Sequence, residues 1–248
     1  MGRVKDLISC IIPVVRNDPH VAGCVESIKN STYKDVEIIV VDEGLERSAQ
    51  RNIGIDRAKG EYLIFFDSDM RAHPNLLEDC INKIDGHIAV YIPERIVTEG
   101  WFGRLRDWER QFYNGTLVDV VRFIRADACP KFDEELHGVE DSAWERQILR
   151  DHPSAKFATS IYPFYHHDKV DLIKYLKKKA YYAKCLGAYR RKNPGDRLLT
   201  FKYRCWTVFV ENGKWKRLLG RPDLAFHVAL LLLARGLIMI WQTKRYLS

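Results

Sequence analysis

None of the six cysteines (Cys10, Cys24, Cys80, Cys129, Cys185 and Cys205) forms a Cys-x-x-Cys pair. That removes the usual spacings of a zinc site or a disulfide scaffold and leaves reduced thiols as the simpler reading. Neither a Gly-x-Gly-x-x-Gly run nor a Walker loop is present, so the familiar backbone cradles for phosphate are excluded. A nucleotide bound here would need a metal to carry much of its phosphate charge. Internal repeats are missing as well. The apolar run Leu7 to Val15 follows Arg3 and Lys5 but is not followed by a small-residue cleavage site, so it reads as a first strand rather than a leader. Near the C-terminus, "PDLAFHVALLLLARGLIMIWQ" is interrupted by His227 and Arg235. A spanning helix wants ~20 apolar residues without a central charge, so this segment reads as a helix lying in an interface or packed on a core. Two Asn-x-Thr sequons, at Asn30 and Asn114, carry no weight in a chain read as cytosolic.

Acidic residues are scarce in one region only. Residues 168–221 hold 16 Lys and Arg against 4 Asp and Glu, whereas residues 1–167 hold 21 against 28 and residues 222–248 hold 3 against 1. The net charge of +7 therefore belongs to the last third of the chain. An acidic first part suits a metal or cationic site, and a basic second part suits an anionic surface, although solvated helix faces give the same counts. Nucleic acid is disfavoured because the first two thirds of the chain are acidic.

With 248 residues, 46% hydrophobic and 29% charged, the chain can bury one substantial core with an appendage. "DLISCIIPVV", "VEIIVVD" and "EYLIFFD" are continuous β-branched and aromatic runs, as in strands buried on both faces. Between them, "NDPHVAGCVESIKN" has Asp18 and Pro19 placed to begin a helix, and "SAQRNIGIDRAKG" is a helix closed by Gly60. Pro74 opens another helix in "HPNLLEDCINKI". This alternation predicts a parallel sheet covered by helices on both sides, with ligands beyond the carboxyl ends of its strands. Asp42, Asp67 and Asp69 all fall there. Further on, "HIAVYIP", "VDVVRFIRA" and "KFATSIYPFYHH" read as strands. "GVEDSAWERQILRD" and the basic "VDLIKYLKKKAYYAKCLGAYRRK" read as helices.

The run "YLIFFDSDM" ends a strand in two carboxylates one residue apart, which strand alternation would point the same way. A solvated strand end would also account for a bare Asp-x-Asp. Together with "SCIIPVVRNDPHVAGCVESIKNSTYKDVEIIVVDEG", "RNIGIDRAKGEYLIFFDSDM" and "KFDEELHGVEDSAWERQIL", however, the chain resembles inverting glycosyltransferases of family 2, over roughly residues 7–190. The resemblance implies a GT-A fold: a Rossmann-like, mostly parallel sheet flanked by helices. It places a nucleotide-sugar-binding and catalytic domain at 1–167 and a basic, amphipathic helical extension at 168–248.

The resemblance also implies site roles. Asp67 and Asp69 would hold Mn²⁺ or Mg²⁺ against the diphosphate of a UDP-, GDP- or dTDP-sugar, with Asp67 also near the ribose. A hard cation held by oxygen ligands stabilises the leaving diphosphate. Asp42 stands where relatives recognise the base, but the block here is Asp42-Glu43-Gly44-Leu45, so either acid can accept the bond. Arg51, beside Asn52, would reach the diphosphate, since a guanidinium matches phosphate geometry; a surface arginine on an amphipathic helix is the plainer alternative. Asp141 would be the base that takes the acceptor's proton, with Glu140 touching the acceptor; acids in a first helical turn also favour the helix dipole without any catalytic role. His166 rather than His167 would complete the metal site, because strand neighbours face opposite ways. Trp101, with Phe102, Trp108 and Tyr113, would offer aromatic faces to an acceptor or equally to a core. The basic helix and the C-terminal segment would meet a lipid-linked acceptor or the cytoplasmic face of a membrane. Two rivals are a polyprenyl-phosphate sugar synthase and, from "LIFFDSDM", a haloacid-dehalogenase-like phosphatase. The latter normally carries its motif on the first strand.

Overall fold

The computed structural model describes residues 3–116, 118–167, 171–200 and 202–247. The boundary expected at 167/168 adjoins residues 168–170, which lie outside the described residues. In chain order the strands are β1 (Val4–Pro13), β2 (Val36–Val41), β3 (Gly60–Phe65), β4 (Met70–Ala72), β5 (Ala89–Tyr91), β6 (Glu94–Ile96), β7 (Val121–Arg125), β8 (Phe157–Thr159) and β9 (Phe164–His166). The helices are α1 (Val21–Lys29), α2 (Arg47–Arg57), α3 (Leu76–Ile84), α4 (Gly100–Arg110), α5 (Glu140–Asp151), α6 (Leu172–Ala183), α7 (Leu186–Lys192), α8 (Val208–Val210), α9 (Trp215–Gly220) and α10 (Pro222–Leu247). A π-helical turn, Tyr203–Thr207, precedes α8.

Six strands form the main sheet in the order β2-β1-β3-β7-β5-β8. The first three are parallel, as their order predicts, but β7 runs antiparallel to both β3 and β5. The period of two along the strands sorts side chains into two layers. Ile8, Cys10, Ile12, Ile64 and Phe66 join Cys24 and Ile28 of α1 and Leu77 and Cys80 of α3. Ile11, Leu63 and Phe65 join Ile55 of α2 and Trp144 and Ile148 of α5 on the other face. Continuous apolar runs are needed because both faces are covered.

Three expectations are corrected. Asp18 and Pro19 form a turn before α1: the Asp18 carboxylate accepts from the His20 backbone N–H at 2.8 Å, so the helix begins two residues later than the proline suggests. "KFATSIYPFYHH" is two strands: β8 edges the main sheet, and β9 crosses to a second sheet of order β4-β9-β6. Pro163 lies between them, where a chain leaving a ladder gives up no hydrogen bond. The long basic helix is broken into α6 and α7 at Lys184 and Cys185.

The extension shares a core with α4. Phe102, Leu105, Phe112 and Tyr113 pack with Tyr203, Val208 and Phe209 and with Val228 and Leu231 of α10.

Candidate active site

The strands deliver the acids, and the helices behind them deliver the cations. Asp67 and Asp69 lie beyond the end of β3, where the chain is already turning: the Met70 N–H donates to the Asp67 carbonyl at 2.9 Å. Strand alternation therefore no longer applies, and the two carboxylates go to different partners. Asp67 Oδ1 lies 3.1 Å from Arg51 Nη2 and 3.6 Å from Arg47 Nη1, and its Oδ2 lies 3.2 Å from Arg122 Nη2. Burial pushes the Asp67 carboxyl up, but Arg122, Arg47 and Arg51 outweigh it and hold it well below the usual carboxylate range. Asp69 instead accepts from His166 Nε2 at 2.9 Å.

Sheet register makes that second pair. Met70 faces His166 across the antiparallel β4–β9 ladder, and β6 runs parallel on the other side with Ile96 beside His166. His166 is partly buried, which disfavours its charge, yet the hydrogen bond to Asp69 and the nearby acids raise its pKa overall. His167 is exposed; its backbone N–H donates to the Asp69 carbonyl at 2.9 Å, and its pKa is lowered by desolvation and Arg71.

Arg51 is fully buried, so it does not lie open to a diphosphate as the resemblance implies. One of its amino groups binds Asp67 and the other binds Asp141 Oδ1 at 2.5 Å. A single guanidinium thus ties the strand-end acid to the first turn of α5. Its neighbour Asn52 fixes the approach to that helix: its amide donates to the Phe132 carbonyl at 3.0 Å and accepts from the Phe132 N–H at 2.7 Å. Trp144 then stacks on Phe132 at 4.7 Å and donates to the Pro130 carbonyl at 2.8 Å. These contacts set α5 so that Asp141 meets Arg51.

The network extends inward through residues that the sequence does not single out. Arg122 also reaches Glu94 at 3.4 Å, and Arg110 bridges Glu94 at 3.0 Å and Asp119 at 2.9 Å. Burial disfavours the Glu94 charge, but Arg110 and Arg122 bring its pKa down to about 2. Glu140 is buried, with Oε1 3.9 Å from Arg47 and Oε2 without a hydrogen-bond partner; desolvation and the adjacent Asp141 raise its pKa. The one advance signal for Arg47 is its spacing, four residues before Arg51 on one helical face.

Beside this network opens a cavity of about 190 Å³, lined by Arg47, His137, Gly138, Glu140, Lys178 and Tyr182 among others. Gly138 has φ +77°, and a Cβ there would strike the Tyr182 ring at 2.0 Å, so only glycine lets α6 close this wall. Arg47 donates to the Tyr182 hydroxyl at 3.3 Å. Lys178 and Tyr182 come from the basic extension, which therefore helps to build the site.

Other predicted residues lie apart. Asp42 is exposed just past β2. Glu43 is engaged on the surface by Arg57 at 2.5 Å. Trp101 is half exposed on α4, and its ring neighbours are Phe102 at 5.7 Å and His227 of α10 at 5.6 Å, not the carboxylate network.

The profile of the family described as glycosyl transferase family 2 matches residues 43–132, which hold Arg51, Asp67 and Asp69. Glycosyltransferase GlyG of Streptococcus pneumoniae is 28% identical over an alignment covering 33% of this chain and 36% of the relative. GlyA of the same organism is 30% identical, covering 33% of this chain and 15% of the relative. Among solved structures, a mannosyltransferase from Pyrobaculum calidifontis in complex with GDP-Man and Mn²⁺ aligns with a TM-score of 0.60 over 94% of this chain and 87% of that one, at 14% identity. Residues 43–132 are thus similar to glycosyltransferase family 2.

The chain has the GT-A fold. Its matches span about a third or less of the length of those two curated relatives. The phosphatase alternative loses its footing: the motif follows the third strand, and Asp67 is held by three guanidiniums rather than free to attack.

Proposed function

We propose that this chain is a metal-dependent, inverting glycosyltransferase that moves a sugar from a nucleotide-diphosphate sugar to a glycan or lipid-linked acceptor. The supporting observation is the buried Arg51, which joins the strand-end Asp67 to Asp141 beside the Asp69–His166 pair.

Among the described residues no group of three or more His, Cys, Asp or Glu side chains is arranged to hold a metal. Asp67 is committed to arginines, so the donors on offer are the Asp69 carboxylate and the His166 imidazole. That pair fits a divalent cation completed by phosphate oxygens and water, and the imidazole favours Mn²⁺ over Mg²⁺. When bound, the cation would supply charge stabilisation to the leaving diphosphate. Arg47 is partly exposed in the cavity and takes the place expected of Arg51 as the cation offered to the diphosphate. Asp42 is the carboxylate offered to the base. In the transfer, the bond from the anomeric carbon to the diphosphate oxygen breaks, a bond to the acceptor oxygen forms, and the acceptor's proton passes to Asp141. Arg51 orients Asp141 for that task.

The test is Asp141→Asn. Turnover should fall about 10²–10⁴-fold, the range of general-base catalysis, while calorimetry shows nucleotide binding with Mn²⁺ intact. Turnover equal to the parent, with the nucleotide still bound, would instead support the polyprenyl-phosphate synthase, whose acceptor oxygen needs no strong base. The anomeric configuration of the product, read by NMR, decides inversion directly.

We also infer that α10 lies at the cytoplasmic face of a membrane. Its polar side turns inward: Arg235 binds Glu109 at 2.7 Å, and Gln242 is buried. Phe226, Leu230, Leu233, Leu237, Ile240 and Trp241 are exposed along the opposite side. Within Pro222–Gln242 an 18-residue stretch reaches a mean hydropathy of 2.1, enough by length and composition to cross a bilayer, yet the inward ion pair favours an interfacial position. Leu233→Ser with Leu237→Ser should abolish sedimentation with anionic vesicles; equal sedimentation of both forms rules the contact out.

A further inference from the structure

A second charged cluster lies where α4, α6 and α10 meet, and its charges do not balance. Around the Tyr175 ring, the Arg106 guanidinium sits 4.6 Å from the centroid, the Arg235 guanidinium 5.2 Å and Lys179 Nζ 5.3 Å. Arg204, on the π-helical turn, adds its charge to Lys179. Opposing these four cations is the buried carboxylate of Glu109, which Arg106, Arg235 and the Tyr113 hydroxyl all engage. Among the described residues no carboxylate pairs with Lys179 or Arg204.

Two donors there point at nothing: the Tyr175 hydroxyl and Arg235 Nε are buried without a hydrogen-bond partner. Burial, reinforced by Arg106, Arg235 and Arg204, drives the Lys179 ammonium well below its ordinary pKa. Contacts with a tyrosine face are worth ~0.5–2 kcal/mol each, which eases the crowding without neutralising it. A group of cations and unsatisfied donors in a half-buried place is complementary to a multiply charged anion with several acceptor oxygens.

We propose that Lys179, Arg204, Arg106 and Arg235 with the Tyr175 hydroxyl form a binding site for a phosphoryl group, separate from the donor diphosphate. The site is continuous with the active-site wall, because Lys179 Nζ also lies 5.6 Å from the ring of Tyr182, which lines the cavity. Exposed apolar residues flank it on the same elements: Ile173 on α6, Trp206 on the π-helical turn and Leu233 on α10. The phosphoryl group therefore belongs either to a lipid headgroup or to a free phosphate. Only the lipid source rests on the membrane reading above.

The experiment uses the full chain and Lys179→Gln, which breaks no ion pair. Inorganic phosphate, without divalent cation and against chloride at equal ionic strength, should raise the melting temperature of the parent by several degrees. Lys179→Gln should start a few degrees higher, relieved of one crowding cation, and gain nothing from phosphate. In a second arm, the parent should bind vesicles containing phosphatidic acid about tenfold more tightly than phosphatidylcholine alone, a preference that Lys179→Gln loses. A response in either arm that disappears in Lys179→Gln supports the site, and which arm responds names the source. A phosphate response no greater than chloride together with no vesicle preference, or responses in Lys179→Gln equal to the parent's, overturns it. Nucleotide binding with Mn²⁺ should be the same in both proteins, so failure of the glycosyltransferase proposal and failure of this one read out separately.

Discussion

The network at the strand ends and the cluster around Tyr175 are both partly buried and rich in arginine, yet they are charged in opposite senses. At the strand ends, Arg47, Arg51, Arg110 and Arg122 face Asp67, Glu94, Asp119, Glu140 and Asp141, with the Asp69–His166 pair beside them. Around Tyr175, four cations face Glu109. Burying charge is tolerable when partners are close and saturated, and a residual charge indicates what a ligand must supply. The first network is left slightly acidic and suits a cation; the second is left strongly basic and suits an anion. Tyr182, which lines the cavity, touches both: Arg47 donates to its hydroxyl and Lys179 lies over its ring.

That contrast can be broken at several strengths. The largest effect is expected from Asp141→Asn, with its loss of turnover in an otherwise folded protein. Next comes Arg122→Leu, which strips a partner from both Asp67 and Glu94. Breaking a buried pair from one side costs about 3–5 kcal/mol, so a lower denaturation midpoint with an unchanged m-value is expected in urea. Acid comes third. Glu94 has its folded pKa depressed to about 2 from 4.5, so its contribution is fully present above about pH 4.5 and is lost as pH falls toward 2. Integrated over that shift the loss is on the order of 3 kcal/mol, and Asp67 adds to it in the same direction; urea titrations between pH 5 and 2 should show the decline. The smallest effect belongs to Arg57→Ala, which frees the exposed Glu43 and should change stability by less than about 1 kcal/mol.

Much of the site was legible because its residues fall at strand ends and helix starts. Asp67, Asp69 and Asp141 sit where the runs "LIFF" and "AWERQIL" meet loops, and the structure brings them into one neighbourhood. What misled was local geometry. Alternation predicted that Asp67 and Asp69 would point the same way, but the strand stops at Phe65 and the turn sends them to different partners. Arg51 read as a diphosphate ligand or a surface residue, yet it lies one turn before Ile55 on the sheet-facing side of α2 and is buried against Asp67 and Asp141. Glu94 and Arg122 gave no signal, because a lone charge in a short strand is ordinary until its partner, 28 residues away in the chain, is placed beside it. The C-terminal helix was correctly seen as two-sided, but which side would face water depended on Glu109 of α4.

The parallel pairing of the first three strands, the covering of both sheet faces and the split between an acidic and a basic part were determined by sequence alone, since they follow from periodicity and composition. Which charges cancel was decided only in three dimensions. Coulomb energy depends on distance and burial, and neither is a property of position along the chain.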